Sequence, residues 1–188
     1  MSDLASLFQT ASSRFGELVH LVRDDQWTSS TPCTEWDVRA LVNHLVVEDL
    51  WVPPLLAGKT IEDVGDAFDG DVLGDDPIAA WDRAVGSAQA GFSAADAMTR
   101  KVHLSFGESP AEEYAFQLTA DHTIHAWDLA RGIGADDTLD PELVTFVSER
   151  LLPQIEDWRS GGAFVNPVPV PEGADTQTRL LAETGRTV

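Results

Sequence analysis

Apolar side chains recur at three- and four-residue spacing in five separate stretches of this chain, each bounded by its own start and stop residues. That pattern leaves few folds open, because a stripe of period 3.6 can be buried only against other helices or one face of a sheet. The first stretch runs over about 3–24, with Leu4, Leu7, Phe8, Ala11, Phe15, Leu18, Val19 and Val22 on one side. The second opens at Thr34, a good N-cap with Asp37 three residues on, and runs towards Leu50, where Pro53-Pro54 limits it. A third is expected from Asp76-Pro77 to about Ala97, a fourth from Ser109-Pro110 to Arg131, and a fifth from Asp140-Pro141 to near Arg159. Between the second and third, residues 59–76 carry glycines and aspartates and read as a loop. Lys101–Phe106 alternates as a strand would. The expected fold is all-α: a four-helix bundle with an extra helix and a short strand or hairpin. One domain over 1–188 is expected, with 163–188 as an extended C-terminal tail punctuated by Pro167, Pro169 and Pro171.

The remaining bulk features mainly exclude. With 32 acidic against 12 basic residues the net charge is −20, which repels phosphate backbones and anionic lipid, so neither nucleic acid nor membrane is an expected partner. No apolar run is long enough to span a bilayer, and the N-terminus lacks the pattern of a secretory signal. The single cysteine, Cys33, cannot form an internal disulfide, so a cytoplasmic location is the expectation.

Chemistry is concentrated on the second and fourth helices. Asp121 and His125 are four residues apart, about 40° on a helical wheel, and lie in the apolar stripe beside Leu118 and Leu129. A carboxylate set into a core face needs a partner, either a cation or a hydrogen-bond donor. On the second helix Asp37, His44 and Glu48 form one polar line beside Leu41 and Trp51. Packed together, the two helices would aim His44 at Asp121 and His125, three ligands that leave a cation an open position. On geometry alone His122 is a rival ligand, three residues before His125. Glu48 is open to three roles: ligand, acceptor for His44, or general base. His20 and His103 read as structural, and Cys33 as a small structural cysteine.

The segment Thr31-Pro-Cys-Thr-Glu-Trp-Asp-Val-Arg-Ala-Leu-Val-Asn-His44 resembles the second helix of DinB-like proteins, in the actinobacterial branch related to mycothiol-dependent maleylpyruvate isomerase. Asp121-His-Thr-Ile-His125-Ala-Trp-Asp-Leu-Ala-Arg-Gly-Ile-Gly134 resembles that branch's other signature, and Pro167-Val-Pro-Val-Pro with Arg179–Arg186 resembles its usual ending. The resemblance implies a DinB-like bundle with a divalent metal near one end of its core, held by His44, Asp121 and His125. Asp121 stands where the isomerases carry Glu, and His122 becomes a neighbour of the site. Zinc is the first expectation for the ion, with nickel, iron or manganese also suited to such donors. The resemblance further implies mycothiol as a co-substrate, with Glu48 or Asp37 accepting the thiol proton and Glu48 the expected catalytic residue. The partners implied are a small thiol and a small electrophile, with a homodimer as a further expectation. The expected function is a thiol-dependent transferase or isomerase-like enzyme; the alternative is a non-enzymatic metal-binding or stress-response bundle.

Overall fold

A computed structural model describes residues 3–188, and the order of elements follows from the capping and packing residues just set out. Helix α1 spans Leu4–Val19, with Asp3 accepting from the Ser6 amide as N-cap. Helix α2 spans Val38–Leu56, a short α3 spans Ile61–Val64, and α4 spans Pro77–Phe92 behind the Asp76 cap. A hairpin of β1 (Lys101–Leu104) and β2 (Gly107–Pro110), paired antiparallel with Val102 opposite Ser109, leads into α5 (Ala111–Ile133). Then come α6 (Pro141–Leu151), α7 (Ile155–Ser160) and α8 (Thr176–Glu183).

The four long helices close a ring of neighbours: α1 packs on α5, α5 on α2, α2 on α4, and α4 on α1. Their apolar stripes meet in a continuous core around Phe15, Leu41, Leu45, Trp81, Ile124 and Leu129. A second apolar cluster, around Phe8, Val52, Phe92 and Leu118, fills the end nearer the hairpin. This is the expected all-α four-helix bundle with a hairpin, and it carries the helices α3, α6, α7 and α8 in addition. Among the described residues, no helix is long and apolar enough to cross a membrane.

The boundaries differ from expectation where local hydrogen bonding or packing outweighs sequence punctuation. Helix α1 stops at Val19 and is followed by a 3-10 turn at Asp24–Gln26, tied to α5 by Gln26 donating to the Ile133 carbonyl at 2.8 Å. The N-cap of α2 is Asp37, which accepts from the Ala40 amide, whereas Thr34 lies in the preceding turn. Pro53 and Pro54 sit inside the last turn of α2, where they remove two amide donors without ending the helix, because Val52, Leu55 and Leu56 are buried there. Helix α4 ends at Phe92, short of Ala97. The expected fifth helix is broken at Pro153 into α6, a 3-10 turn and α7.

The largest departure is at the C-terminal end. The segment expected to be an extended tail is irregular only as far as Asp175, which caps α8 by accepting from Thr178. Leu180 and Leu181 of α8 are fully buried in the main core. Those two apolar residues supply the burial that an eight-residue helix needs to form.

Candidate metal centre

Helices α2 and α5 bring the three expected ligands together. His44 Nε2 lies 2.9 Å from Asp121 Oδ2, and His125 Nε2 lies 3.2 Å from Asp121 Oδ1. One ligand atom from each of the three falls within 4.8 Å of the others. His125 is buried, while the side chains of His44 and Asp121 keep 26% and 29% exposure, so the group opens to solvent on one side.

An aromatic wall comes from the turn before α2. Thr31 Oγ1 donates to the Trp36 carbonyl at 2.8 Å and to that of Cys33 at 3.2 Å, holding the turn closed. The Trp36 ring then lies against both imidazoles, with centroids 4.6 Å from His44 and 5.6 Å from His125.

Behind His125 lies a polar chain that sequence reasoning missed. Its Nδ1 is 2.8 Å from Oδ2 of the fully buried Asp128, where an Nδ1–H donates. Arg186 donates from Nη2 to Asp128 Oδ2 at 2.8 Å and from Nε to Oδ1 at 3.3 Å. The Cys33 thiol donates to Asp128 Oδ2 at 3.2 Å and accepts from Arg186 Nη2 at 3.3 Å. Cys33, His125 and Asp128 also satisfy the spacing of a metal-binding trio, but the Arg186 guanidinium already contacts both the sulfur and the carboxylate and supplies the positive charge there. The retrievable signal was Asp128, an acid three residues after His125 on the same helix face. Nothing in the sequence pattern joins Cys33 or Arg186 to it.

The electrostatics follow from these contacts. Burial opposes ionisation of Asp121, but the His125 and His44 imidazoles outweigh it and hold its carboxyl well below the usual range. Burial likewise opposes charging of His125, yet Asp121 and Asp128 raise its pKa well above that of a free imidazole. Asp128, desolvated but bonded to His125 and Arg186, is held down at about 2. Glu48, one turn beyond His44, is pushed up by burial and by the Asp121 charge. A carboxyl raised in this way holds its proton more readily than a free one, which suits it to proton transfer.

The other candidates fall elsewhere. His122 is fully buried, its Nδ1 2.8 Å from the Leu118 carbonyl and its Nε2 3.4 Å from the buried Asp49 of α2. Its ring packs edge-on against Phe8 and Phe15. Both nitrogens are committed to partners other than Asp121, so the structure does not bring His122 into the ligand group as the rival to His125. Asp37 is occupied as a helix cap. His20 pairs with Asp82 at 2.9 Å on the surface, and His103 lies on β1 opposite Glu108.

Comparison with known proteins places the chain in a family and supports its fold. Residues 8–130, which cover most of α1, all of α2 to α4 and the hairpin, and most of α5, match the family described as the mycothiol maleylpyruvate isomerase N-terminal domain. The chain belongs to that family. It is similar to two proteins of Mycobacterium tuberculosis, Uncharacterized protein MT0763 of strain CDC 1551 / Oshkosh and Uncharacterized protein Rv0738 of strain ATCC 25618 / H37Rv. Each is 31% identical over 182 residues, spanning 96% of both chains. In fold it is similar to the crystal structure of the mycothiol-dependent maleylpyruvate isomerase, with a TM-score of 0.64 at 19% identity. A mutant form of that enzyme gives 0.65 at 20%. In both cases 85% of this chain aligns with 71% of the other.

Proposed function

We propose that this protein holds a divalent cation between His44, Asp121 and His125 and uses a low-molecular-weight thiol to attack a small electrophile. The observation that carries the reading is the convergence of two imidazole Nε2 atoms on the two oxygens of one carboxylate. The donor chemistry fits a borderline divalent ion, zinc before nickel, iron or manganese. The Nδ1 of His125 meets a carboxylate on its far side, the arrangement that orients a histidine ligand and fixes its tautomer. Family membership supports mycothiol as the thiol.

A cation held there supplies the positive charge that favours a thiolate over a thiol at neutral pH. The chain's own residues do the rest. Glu48, its pKa raised, accepts the proton leaving the thiol S–H. The sulfur electron pair forms the bond to the electrophilic carbon, and Glu48 returns its proton to the atom that received the displaced pair. Trp36 shields the two imidazoles from bulk water on one side. The partial exposure of His44 and Asp121 gives thiol and substrate a way in, which favours an enzyme over a closed metal store.

The test is zinc-loaded protein incubated with mycothiol and a panel of enones, epoxides and cis-alkene acids, following loss of free thiol. Consumption by the wild type and its loss in His44→Ala are expected. A wild type that binds zinc but never consumes thiol with any electrophile would sink the catalytic reading.

A further inference from the structure

Asp128 and Arg186 are 58 residues apart in sequence, and neither touches the open side of the centre. Asp128 is fully buried and the Arg186 side chain is 10% exposed, so both charges have been taken out of water at considerable cost. Such a pair needs well-placed partners on every side, and here it has them. Arg186 spends Nη1 on the Thr184 carbonyl at 2.7 Å and the rest of its head on Asp128 and Cys33. Asp128 spends Oδ2 on Arg186, Cys33 and His125 Nδ1. Charged, His125 donates from both ring nitrogens, Nδ1 to Asp128 and Nε2 to Asp121; once neutral and still donating from Nδ1, it would present the Nε2 lone pair to an ion.

We infer that Arg186 sets the orientation of His125 through Asp128, so that the C-terminal segment controls the affinity of a cation site it never touches. The inference rests on the metal reading above for its consequence, though not for the relay itself. Arg186 is a positioning residue: it holds Asp128 in one rotamer, Asp128 holds His125 by Nδ1, and His125 presents Nε2 to the ion. Three features hold Arg186 in place. Leu180 and Leu181 anchor α8 in the core, and the Arg186 amide donates to the Leu181 carbonyl at 2.8 Å. Gly185 makes the intervening turn at φ +87°, where a Cβ would lie 2.2 Å from Val165 Cγ2.

The experiment compares wild type with Arg186→Met, Arg186→Lys, Asp128→Asn and the Met/Asn double variant. The first reading is zinc affinity by competition with a chromophoric chelator. Loss of about 10- to 100-fold is expected for Arg186→Met and for Asp128→Asn, the range seen when such outer partners of ligands are removed. Arg186→Lys, which keeps the charge but not the fork, should fall between. The double variant should bind no more weakly than the poorer single variant, because both act through one hydrogen bond.

The second reading needs no metal: the His125 Nδ1–H proton resonance, protected from exchange in the wild type, should broaden or vanish in Arg186→Met. Unchanged zinc affinity in Arg186→Met, or losses that simply add in the double variant, would overturn the inference. If wild type itself takes up no zinc, the metal reading fails, and the proton resonance still decides the relay: its persistence in Arg186→Met refutes it. Should Arg186→Met not fold, Arg186→Lys and Asp128→Asn carry both readings.

Discussion

His44 and Asp121 meet at 2.9 Å across the interface of α2 and α5, although 77 residues separate them along the chain. That contact joins the two family signatures, and it makes the first prediction sharp. Elemental analysis of protein purified without chelator should find about one zinc-like ion per chain in the wild type. It should find almost none in His44→Ala or His125→Ala. Asp121→Glu, which keeps a carboxylate on a side chain one methylene longer, should retain the ion. Full occupancy in His44→Ala would remove α2 from the ligand set.

Metal uptake should release a proton. In the metal-free protein His125 is held charged by Asp121 and Asp128, and an imidazolium cannot ligate. Zinc affinity should therefore rise from pH 6 to pH 8, and calorimetry in buffers of different ionisation enthalpy should report the released proton. The apo protein should behave oppositely. Its raised His125 pKa contributes stability that is full below about pH 6.5 and lost as pH rises through the folded value. The depressed Asp121 pKa contributes stability present above about pH 3.9 and lost as pH falls through its own folded value. An apo melting temperature that climbs steadily from pH 6 to pH 9 would contradict this assignment.

Replacing Glu48 separates chemistry from binding. Glu48→Gln keeps the shape and removes the proton acceptor, so thiol consumption should fall by about 10²- to 10⁴-fold while zinc stoichiometry stays at one. The desolvated carboxyl is also a folding liability, so the variant should melt no lower than wild type. Loss of zinc in Glu48→Gln would reassign the residue as a ligand.

His122 offers a control on the same helix. It and Asp49 form a fully buried pair in which Asp49 Oδ1 has no hydrogen-bond partner among the described residues. Removing one member leaves an uncompensated buried group, so His122→Phe alone should cost about 3–5 kcal/mol. The double variant Asp49→Leu/His122→Phe should recover most of that loss. Zinc stoichiometry should not move in either, since neither His122 nitrogen faces the candidate centre.

How much of this was legible beforehand depended on the range of each signal. The pair Asp121 and His125 could be read because helical period alone decides which residues share a face, and the same rule placed His44 and Glu48 on one side of α2. The turn before α2 was less readable: Thr34 and Asp37 both have capping side chains, and only the Thr31 bonds to the Trp36 and Cys33 carbonyls decide that the helix waits for Asp37. Nothing in the spacing of Trp36 reveals that this turn lays its ring over the two imidazoles. Cys33 was read as structural because no partner lies near it in sequence. Its neighbours Asp128 and Arg186 arrive from two later elements, and periodicity carries no information across such gaps. The proline-rich stretch before Asp175 suggested a tail with no anchor, because two adjacent leucines in an eight-residue helix are too short a pattern to reveal a docking face.

The docking of α8 bears finally on when the centre can come into being. The polar chain behind His125 is drawn from the turn at Cys33, the middle of α5 and Arg186, so completing it requires closing separations of 58 to 153 residues. Local helices form long before such distant partners meet. During synthesis the bundle can therefore collapse around an immature pocket in which His125 is still free to turn. An ion at the proposed site should reach its full affinity only after Arg186 has emerged and locked home, because until then His125 lacks the contact that orients it.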